Sequence, residues 1–363
     1  MTTLLRGGTI ITGAGQRRAD LLLDGEKIAW VGRGPQAADR EVDVSGCFLF
    51  PGFIDAHTHF DLDVANTTTA DDFCAGSRAA LRGGTTTVID FACPNKGESL
   101  HHGLDLWHQK ADGRTFCDYG FHMTIDDWNE SIRAELPDMF AQGISSFKMY
   151  LTYPAMMIGD GAVYRALKAL KARGGIAGVH CENAGVIDAR IAELKASGLG
   201  ADVVSHPISR PDYLEAEAVS RLLRIAQAAD APVIIVHTTN RASLDEIAAA
   251  RRRGQTVYVE TCPQYLALDD GVYYDPDFSS AARYVCAPPI RSQEDSEALW
   301  KALRRGEVQT ISTDHCSFTL EQKDMGRDDF TKIPGGLPGV ETRGEVVYTV
   351  AINENKLSLG GVC

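Results

Sequence analysis

Residues that bind metal ions or move protons stand at comparable places along the chain, each near the end of a short apolar run. His57 and His59 are separated by one residue, and because strand side chains alternate between two faces, both can point to the same side and bind one ion. His180, His237 and Asp314 stand near the ends of three later runs. Neutral imidazoles and a carboxylate are ligands of Zn²⁺ and related divalent ions, and they leave positions open for water. The pattern predicts a metal centre.

Lys148 lies in a further apolar run, at 145–151, and is the unusual member of this set. An ammonium is repelled by a dication, and burial in an apolar strand favours the neutral amine. A neutral lysine can react with carbon dioxide to give a carbamate, whose carboxylate can bridge two metals. The alternative is a snorkelling side chain or a buried ion-pair partner, and it would be preferred if the histidines were absent.

Eight short apolar, β-branched runs alternate with segments of helical period. The segment 212–229 illustrates the helical pattern, because its apolar residues fall on one face and Pro211 suits its start. The strand candidates are 53–59, 85–91, 118–125, 145–151, 176–182, 233–239, 257–263 and 310–315. Eight β-then-α units predict an α/β fold with a parallel sheet closed into a (β/α)8 TIM-like barrel, whose catalytic groups sit at the carboxyl ends of the strands.

Composition excludes several classes of function. The chain has 363 residues, 44% of them hydrophobic, and a formal net charge of −13, so it repels nucleic-acid backbones and anionic lipid. No run approaches the ~18 apolar residues of a membrane span, and there is no secretory leader pattern. The nine cysteines never form a CxxC pair, which indicates reduced thiols and a cytoplasmic protein.

At the level of motifs, the chain resembles the amidohydrolase superfamily, and closely its dihydropyrimidinase/hydantoinase branch. The matching segments run in order along the sequence: PGFIDAHTHF at 51–60, FKMY at 147–150, HCEN at 180–183, ETCPQYL at 260–266 and STDH at 312–315. The resemblance implies a small β-sandwich domain beside the barrel. We therefore expect sandwich strands at 1–50, the barrel at 51–355, and at 356–363 the truncated start of the return to a sandwich that is incomplete in this chain.

The resemblance also implies a site with two divalent ions, Zn²⁺ or alternatively Mn²⁺ or Co²⁺, bridged by N6-carboxylated Lys148. The implied metal ligands are His57, His59, Lys148, His180, His237 and Asp314. Asp314 would transfer the proton and Tyr153 would donate its hydroxyl to the developing oxyanion. Main-chain groups near Ala287 and Gly335 would hold the amide edge of the ring, although the family often has Ser and Asn at these two positions. Leu62 and Met157, on loops after the first and fourth strands, are expected to form an apolar wall around the ring substituent, because barrel specificity depends on such loops. The alternative is that these side chains only pack the loops.

The expected activity is hydrolysis of the cyclic amide bond of a neutral dihydropyrimidine or hydantoin, giving an N-carbamoyl amino acid. Dihydroorotases and allantoinases usually follow the histidine pair with an acidic residue, Pro and Gly, whereas Phe60-Asp61-Leu62 follows here, so a negatively charged substrate is not expected. The only expected partners are a small cyclic ureide and further copies of the chain, in a dimer or tetramer.

Three alternatives stay open from the sequence. One is an allantoinase-like member of the superfamily. Another is a mononuclear deaminase, which normally has a glutamate three residues after a strand-end histidine, whereas Asn183 and Asn240 stand there. The third is a non-catalytic assembly protein on the dihydropyrimidinase scaffold, although such relatives usually have broken ligand sets.

Overall fold

The computed structural model describes residues 1–64 and 66–363, and their contacts divide the chain into two compact units. One unit combines Met1–Phe53 with Val347–Cys363, and the other is Ile54–Val346. Residues 347–355 therefore group with the N-terminal strands, whereas the sequence analysis puts them with the barrel. The division into 1–50, 51–355 and 356–363 stays a prediction.

Seven strands of the first unit form two small sheets. They are β1 Thr2–Arg6, β2 Thr9–Thr12, β3 Gly15–Arg18, β4 Asp20–Asp24, β5 Lys27–Gly32, β6 Arg40–Asp43 and β7 Phe48–Leu49. The sheet orders are β5-β4-β1-β6 and β3-β2-β7. A glycine in the left-handed region, Gly25 at φ 57°, makes the tight turn between β4 and β5. Leu4 and Ile11 are fully buried, one in each sheet.

The second unit contains an eight-stranded parallel sheet, and the predicted α/β TIM-like barrel is confirmed. Its strands, adjacent in chain order, are β8 Phe53–Thr58, β11 Thr85–Ala92, β12 Asp118–Thr124, β13 Ser146–Tyr150, β14 Ile176–His180, β15 Val233–Ile235, β16 Val257–Thr261 and β17 Thr310–Ile311. A parallel bridge between Thr58 and His315 joins the first strand to the segment after the last. Two short strands, β9 Asp63–Val64 and β10 Thr67–Thr68, pair in the loop after β8.

Helices alternate with the barrel strands. They are α1 Phe73–Arg82, α2 Leu100–Ala111, α3 Glu130–Ala141, α4 Asp160–Lys171, α5 Ala184–Ala196, α6 Ser205–Ser209, α7 Asp212–Ala229, α8 Arg241–Arg252, α9 Pro263–Ala267, α10 Phe278–Ala282, α11 Gln293–Arg304, α12 Leu320–Lys323 and α13 Arg343–Asn353. Four 3-10 turns cover Asp270–Tyr274, Asp324–Gly326, Phe330–Lys332 and Leu359–Val362. Among the described residues, no helix is both long and apolar enough to cross a membrane.

Helix caps explain two asparagines that follow strand-end histidines. The side chain of Asn183 accepts a hydrogen bond from the N–H of Val186 at the start of α5, and that of Asn240 accepts one from Ser243 at the start of α8. Such caps satisfy main-chain donors that a helix leaves unpaired. These positions therefore have a role in starting helices, and neither supplies the carboxylate that a deaminase would need there.

Apolar strand residues and the inner faces of the helices form one buried cluster that supports the sheet. It includes Val88, Met123, Phe147, Val179 and Val259. Close packing of this kind fixes the strand ends, so polar side chains at those ends are held at defined positions.

Candidate metal centre and active site

Three of the predicted ligands form a compact group at the ends of β8 and β17. The ligand atoms of His57, His59 and Asp314 lie within 4.8 Å of one another. One carboxylate oxygen of Asp314, Oδ1, lies 3.1 Å from His57 Nε2 and 3.1 Å from His59 Nε2. Both histidines are buried, and Thr58 between them bonds instead to Asp90. The alternation expected of a strand therefore holds, and the two imidazoles share one carboxylate.

Lys148 lies next to this group. Its Nζ atom is 3.4 Å from His57 Nε2, and the side chain is 1% exposed. Burial lowers the pKa of this lysine, although the carboxylates of Asp314 and Glu260 act in the opposite direction. A lysine with a lowered pKa has more of the neutral amine that carbamate formation requires.

His180 and His237 form a second pair beside the first. Their ring centroids are 4.5 Å apart, and the ring of His237 is 5.6 Å from that of His57. Burial lowers the pKa of both imidazoles, and the neutral ring is the form that binds a metal. The structure thus brings all six predicted ligands to one end of the barrel.

Carboxylates outside the predicted set orient two of these rings. Glu260 Oε1 lies 2.7 Å from His57 Nδ1 and also accepts the His237 main-chain N–H at 3.1 Å. Glu182 Oε2 lies 2.7 Å from His180 Nε2 and 2.7 Å from Arg210 Nη1. Because a carboxylate only accepts, the proton that each neutral ring carries lies on His57 Nδ1 and on His180 Nε2, and the lone pair for a metal lies on the other nitrogen of each ring.

The charges around His57 and Asp314 favour a cation. Burial and Lys148 would lower the pKa of His57, but Glu260 and Asp314 outweigh them and raise it to about 9. Burial would raise the pKa of Asp314, but the charge of His57 and hydrogen bonds from His57 and His59 hold it well below its usual value. A divalent ion can replace the proton that these carboxylates keep on His57. The donor set therefore fits the metals that the sequence implies.

Three predicted site residues have backbones in the left-handed region, which non-glycine residues seldom adopt. The φ angles are 66° at Tyr153, 38° at His237 and 52° at Asp314. His237 and Asp314 lie beyond the ends of short strands, β15 and β17, so the chain turns sharply where it presents these side chains. Strained backbone of this kind clusters at functional sites, which supports a functional reading of all three residues.

Tyr153 lies close to the second histidine pair. Its ring centroid is 5.2 Å from that of His180, and Arg210 Cζ lies 5.8 Å from the same ring. Burial raises the pKa of the Tyr153 hydroxyl, with Arg210 acting against it. The hydroxyl therefore keeps its proton at neutral pH and can donate it in a hydrogen bond.

The predicted substrate-binding residues lie on loops. A Cβ built on Gly335 would lie 3.9 Å from the main-chain nitrogen of Ala287, so these two positions face each other. Leu62, after β8, is half-buried against the core, and Met157, after β13, is 37% exposed. The carbonyl of Met157 accepts a hydrogen bond from Lys96 Nζ at 3.1 Å. Their contact with a ring substituent stays a prediction.

Sequence reasoning assigned no role to Glu260, Glu182 or Arg210. The available signal was a charged residue at or next to the end of a buried strand, since Glu260 lies within β16 and Glu182 follows β14 closely. A carboxylate buried to 5% or 1% exposure needs a partner, but the sequence does not say which one.

Comparison with known proteins agrees with this geometry. The model of the amidohydrolase family matches residues 48–332. A D-hydantoinase of Geobacillus stearothermophilus is 41% identical over 363 residues, covering 99% of this chain and 77% of the relative. A D-hydantoinase of Streptomyces coelicolor is 40% identical over 358 residues, covering 96% and 76%.

Solved structures give the same result. The dihydropyrimidinase from Brevibacillus agri superimposes with a TM-score of 0.97 at 39% identity, covering 100% of this chain and 79% of that one. The L-hydantoinase from Arthrobacter aurescens superimposes with a TM-score of 0.87 at 28% identity, covering 99% and 79%. The chain therefore belongs to the amidohydrolase family, in its hydantoinase and dihydropyrimidinase branch.

Proposed function

We propose that the chain hydrolyses the cyclic amide bond of a neutral dihydropyrimidine or hydantoin ring and releases an N-carbamoyl amino acid. The observation that carries the proposal is the cluster of His57, His59 and Asp314 with Lys148 Nζ 3.4 Å from His57. The names of its relatives, D-hydantoinase and dihydropyrimidinase, support this activity.

The six ligands would hold two divalent ions, of which Zn²⁺ is the first choice and Mn²⁺ or Co²⁺ are alternatives. His57, His59 and Asp314 would bind one ion, His180 and His237 the other, and carboxylated Lys148 both. Bound metals supply Lewis-acid polarisation and lower the pKa of water toward ~7. The buried carboxylates Glu260 and Glu182 would keep the ring nitrogens of His57 and His180 correctly protonated.

The chain's own residues then move protons and stabilise charge. Asp314 accepts a proton from the attacking water and passes it to the leaving ring nitrogen as the C–N bond breaks. The Tyr153 hydroxyl donates a hydrogen bond to the carbonyl oxygen as it gains negative charge. Opening the ring in this way leaves a carboxylate on one end and a ureido group on the other.

The experiment compares ring opening of dihydrouracil and 5-phenylhydantoin by Zn²⁺-loaded chain in bicarbonate, with allantoin and dihydroorotate as controls. Turnover of either neutral ring, with the controls much slower, is the expected result. Separate D and L forms of the hydantoin then give the enantiomer preference. Folded, metal-loaded protein that opens none of the four rings would contradict the proposal.

A second experiment tests Lys148. Lys148→Ala should lose at least one metal per chain and nearly all activity, because no carbamate can form. Exposed Lys168→Ala on α4 is the matched control and should keep both. Metal content is measured by atomic emission after gel filtration. If Lys148→Ala keeps its full metal content and full activity, the proposed bridging role of Lys148 is wrong.

We also propose that the chain works in the cytoplasm as a homo-oligomer. The nine free cysteines support a reducing compartment. The resemblance to amidohydrolases, which commonly associate, supports a dimer or tetramer. Light scattering on the metal-loaded chain measures the assembly, and a monomer at micromolar concentration would contradict it.

A further inference from the structure

A buried lysine outside the metal centre has an unusual set of partners. Lys323, at the end of α12, is 3% exposed, and its Nζ donates to the main-chain carbonyls of Val285, Pro334 and Gly336 at 2.7, 2.7 and 2.8 Å. An ammonium has three N–H donors, so these carbonyls use all of them. No carboxylate of the described chain forms an ion pair with it. Besides the carbonyls, the ammonium contacts the ring of Phe318, whose centroid lies 5.4 Å from Nζ. The three hydrogen bonds therefore fix the position of the carbonyls.

The three carbonyls lie next to the two positions expected to hold the ring. Pro334 and Gly336 flank Gly335 directly, and Val285 precedes Ala287 by two residues. The 334–335 peptide bond is trans, so its C=O and N–H point in opposite directions. Because the Pro334 oxygen is fixed on the ammonium, the N–H of Gly335 points away from it.

The neighbouring peptide planes are fixed in the same way. The N–H of Gly336 donates to the Val285 carbonyl at 3.0 Å, which directs the C=O of Gly335 away from Val285. The carbonyl of Cys286 lies 2.8 Å from His206 Nε2, which directs the N–H of Ala287 away from His206. His206 therefore orients the second segment.

The groups that these anchors orient are free. Among residues 1–64 and 66–363, the main-chain N–H and C=O of Ala287 and of Gly335 have no hydrogen-bond partner. Gly335 is exposed, whereas Pro334 and Gly336 on either side of it are buried. The peptide groups of Gly335 are therefore accessible to a ligand. Two donors and two acceptors at neighbouring positions suit a ring edge that also has N–H and C=O groups.

The same segment is attached to the loop that carries Asp314. A Cβ on Gly336 would lie 2.3 Å from the carbonyl oxygen of Cys316, and the N–H of Cys316 donates to Leu337 at 3.0 Å. Only glycine permits so close an approach. A shift of Gly335 would therefore also displace the loop after β17.

We propose that Lys323 is a positioning residue for substrate: its ammonium holds the main-chain groups of Gly335, and through Val285 the segment that carries Ala287, where they receive the amide edge of the ring. This inference rests on the proposed function. Lys323 does not touch the ring, so its loss should weaken substrate binding while Asp314, Tyr153 and the metal ligands remain in place.

The test measures kcat, KM and metal content of Lys323→Met on the holoenzyme, with exposed Lys332→Met in the same loop as the control. We expect KM to rise about tenfold or more for dihydrouracil and 5-phenylhydantoin alike, since both share the amide edge, with kcat within about threefold and metal content unchanged. Lys332→Met should match the wild type. A lower melting temperature with unchanged KM would show a merely structural lysine and overturn the inference.

Chemical rescue gives a second readout. Lys323→Ala leaves a cavity that propylammonium can enter, restoring N–H donors to the three carbonyls, whereas propanol restores no charge. We expect propylammonium, and not propanol, to bring KM back toward the wild-type value. Lys323→Gln, which keeps two N–H donors, replaces Lys323→Met if the latter does not fold, and should give an intermediate KM. If the wild-type protein opens neither ring, the proposed function is wrong. If the wild-type protein is active and both Lys323→Gln and Lys323→Met have the wild-type KM, only this inference is wrong.

Discussion

At the scale of single residues, Tyr153 combines an unusual backbone with a hydroxyl that keeps its proton. Its φ of 66° is one that a tyrosine adopts only when its surroundings demand it. The surroundings here are the ring of His180 and the guanidinium of Arg210. These features support the proposal that the Tyr153 hydroxyl donates to the developing oxyanion.

Tyr153→Phe tests this role because it removes one oxygen and nothing else. By comparison with other oxyanion donors, kcat should fall about 100- to 1000-fold. Metal content and melting temperature should stay at wild-type values, since the hydroxyl is not a ligand. The exposed Tyr258→Phe is the control. A decrease in kcat of less than threefold would contradict the role of Tyr153 as an oxyanion donor.

At the scale of elements, Glu260 on β16 connects residues from two other strand ends. Its Oε1 atom takes hydrogen bonds from His57 Nδ1 and from the main-chain N–H of His237. Partners of this kind typically contribute 10- to 100-fold in metal affinity. Glu260→Gln should therefore weaken metal binding by about that factor, measured by competition with a chelator. Exposed Glu193→Gln is the matched control, and an unchanged affinity in Glu260→Gln would contradict the prediction.

The position of Lys323 also predicts a pH effect on stability. Burial lowers its pKa from 10.5 to about 8, with Cys286 and Cys316 as the thiols that face it. Between these pH values the unfolded chain binds more protons than the folded one, so the cost of burying the charge is present below pH 8 and relieved as pH rises toward 10.5. Relative to Lys323→Met, the free energy of unfolding should gain about 3 kcal/mol across this window. Denaturant titrations of both proteins at several pH values measure how the free energy of unfolding changes with pH. The same pH dependence in both proteins would exclude the effect.

The sequence predicts the elements better than it predicts the contacts between them. The eight barrel strands follow from short apolar, β-branched runs, and the helix Asp212–Ala229 follows from its helical period, because burial of one helix face leaves a repeat in the chain. The runs 233–239 and 310–315 give only the short strands Val233–Ile235 and Thr310–Ile311, since the chain turns into the left-handed region at His237 and Asp314. Pairs such as Glu260 with His57 join distant positions and leave no local pattern.

At the scale of the whole molecule, the metal centre should contribute to stability. It collects side chains from β8, β13, β14 and the segments after β15 and β17, so ions bound there favour the folded state over the unfolded chain. A metal present at about 100 times its Kd adds about 2.7 kcal/mol. Stripping the metals with a chelator should lower the melting temperature by several degrees, and Zn²⁺ with bicarbonate should restore it. Calorimetry of the two forms measures this, and identical transitions would exclude a metal bound mainly by the folded chain.

The free main-chain groups at Ala287 and Gly335 have a consequence for how such a chain can change over generations. A missense mutation replaces a side chain and leaves the peptide groups in place, so the proposed main-chain contacts with the ring would survive most codon changes at these two positions. A Cβ on Gly335 meets nothing closer than 3.9 Å, whereas one on Gly336 would meet the Cys316 carbonyl at 2.3 Å. Substitutions should therefore be tolerated at 335 and removed by selection at 336.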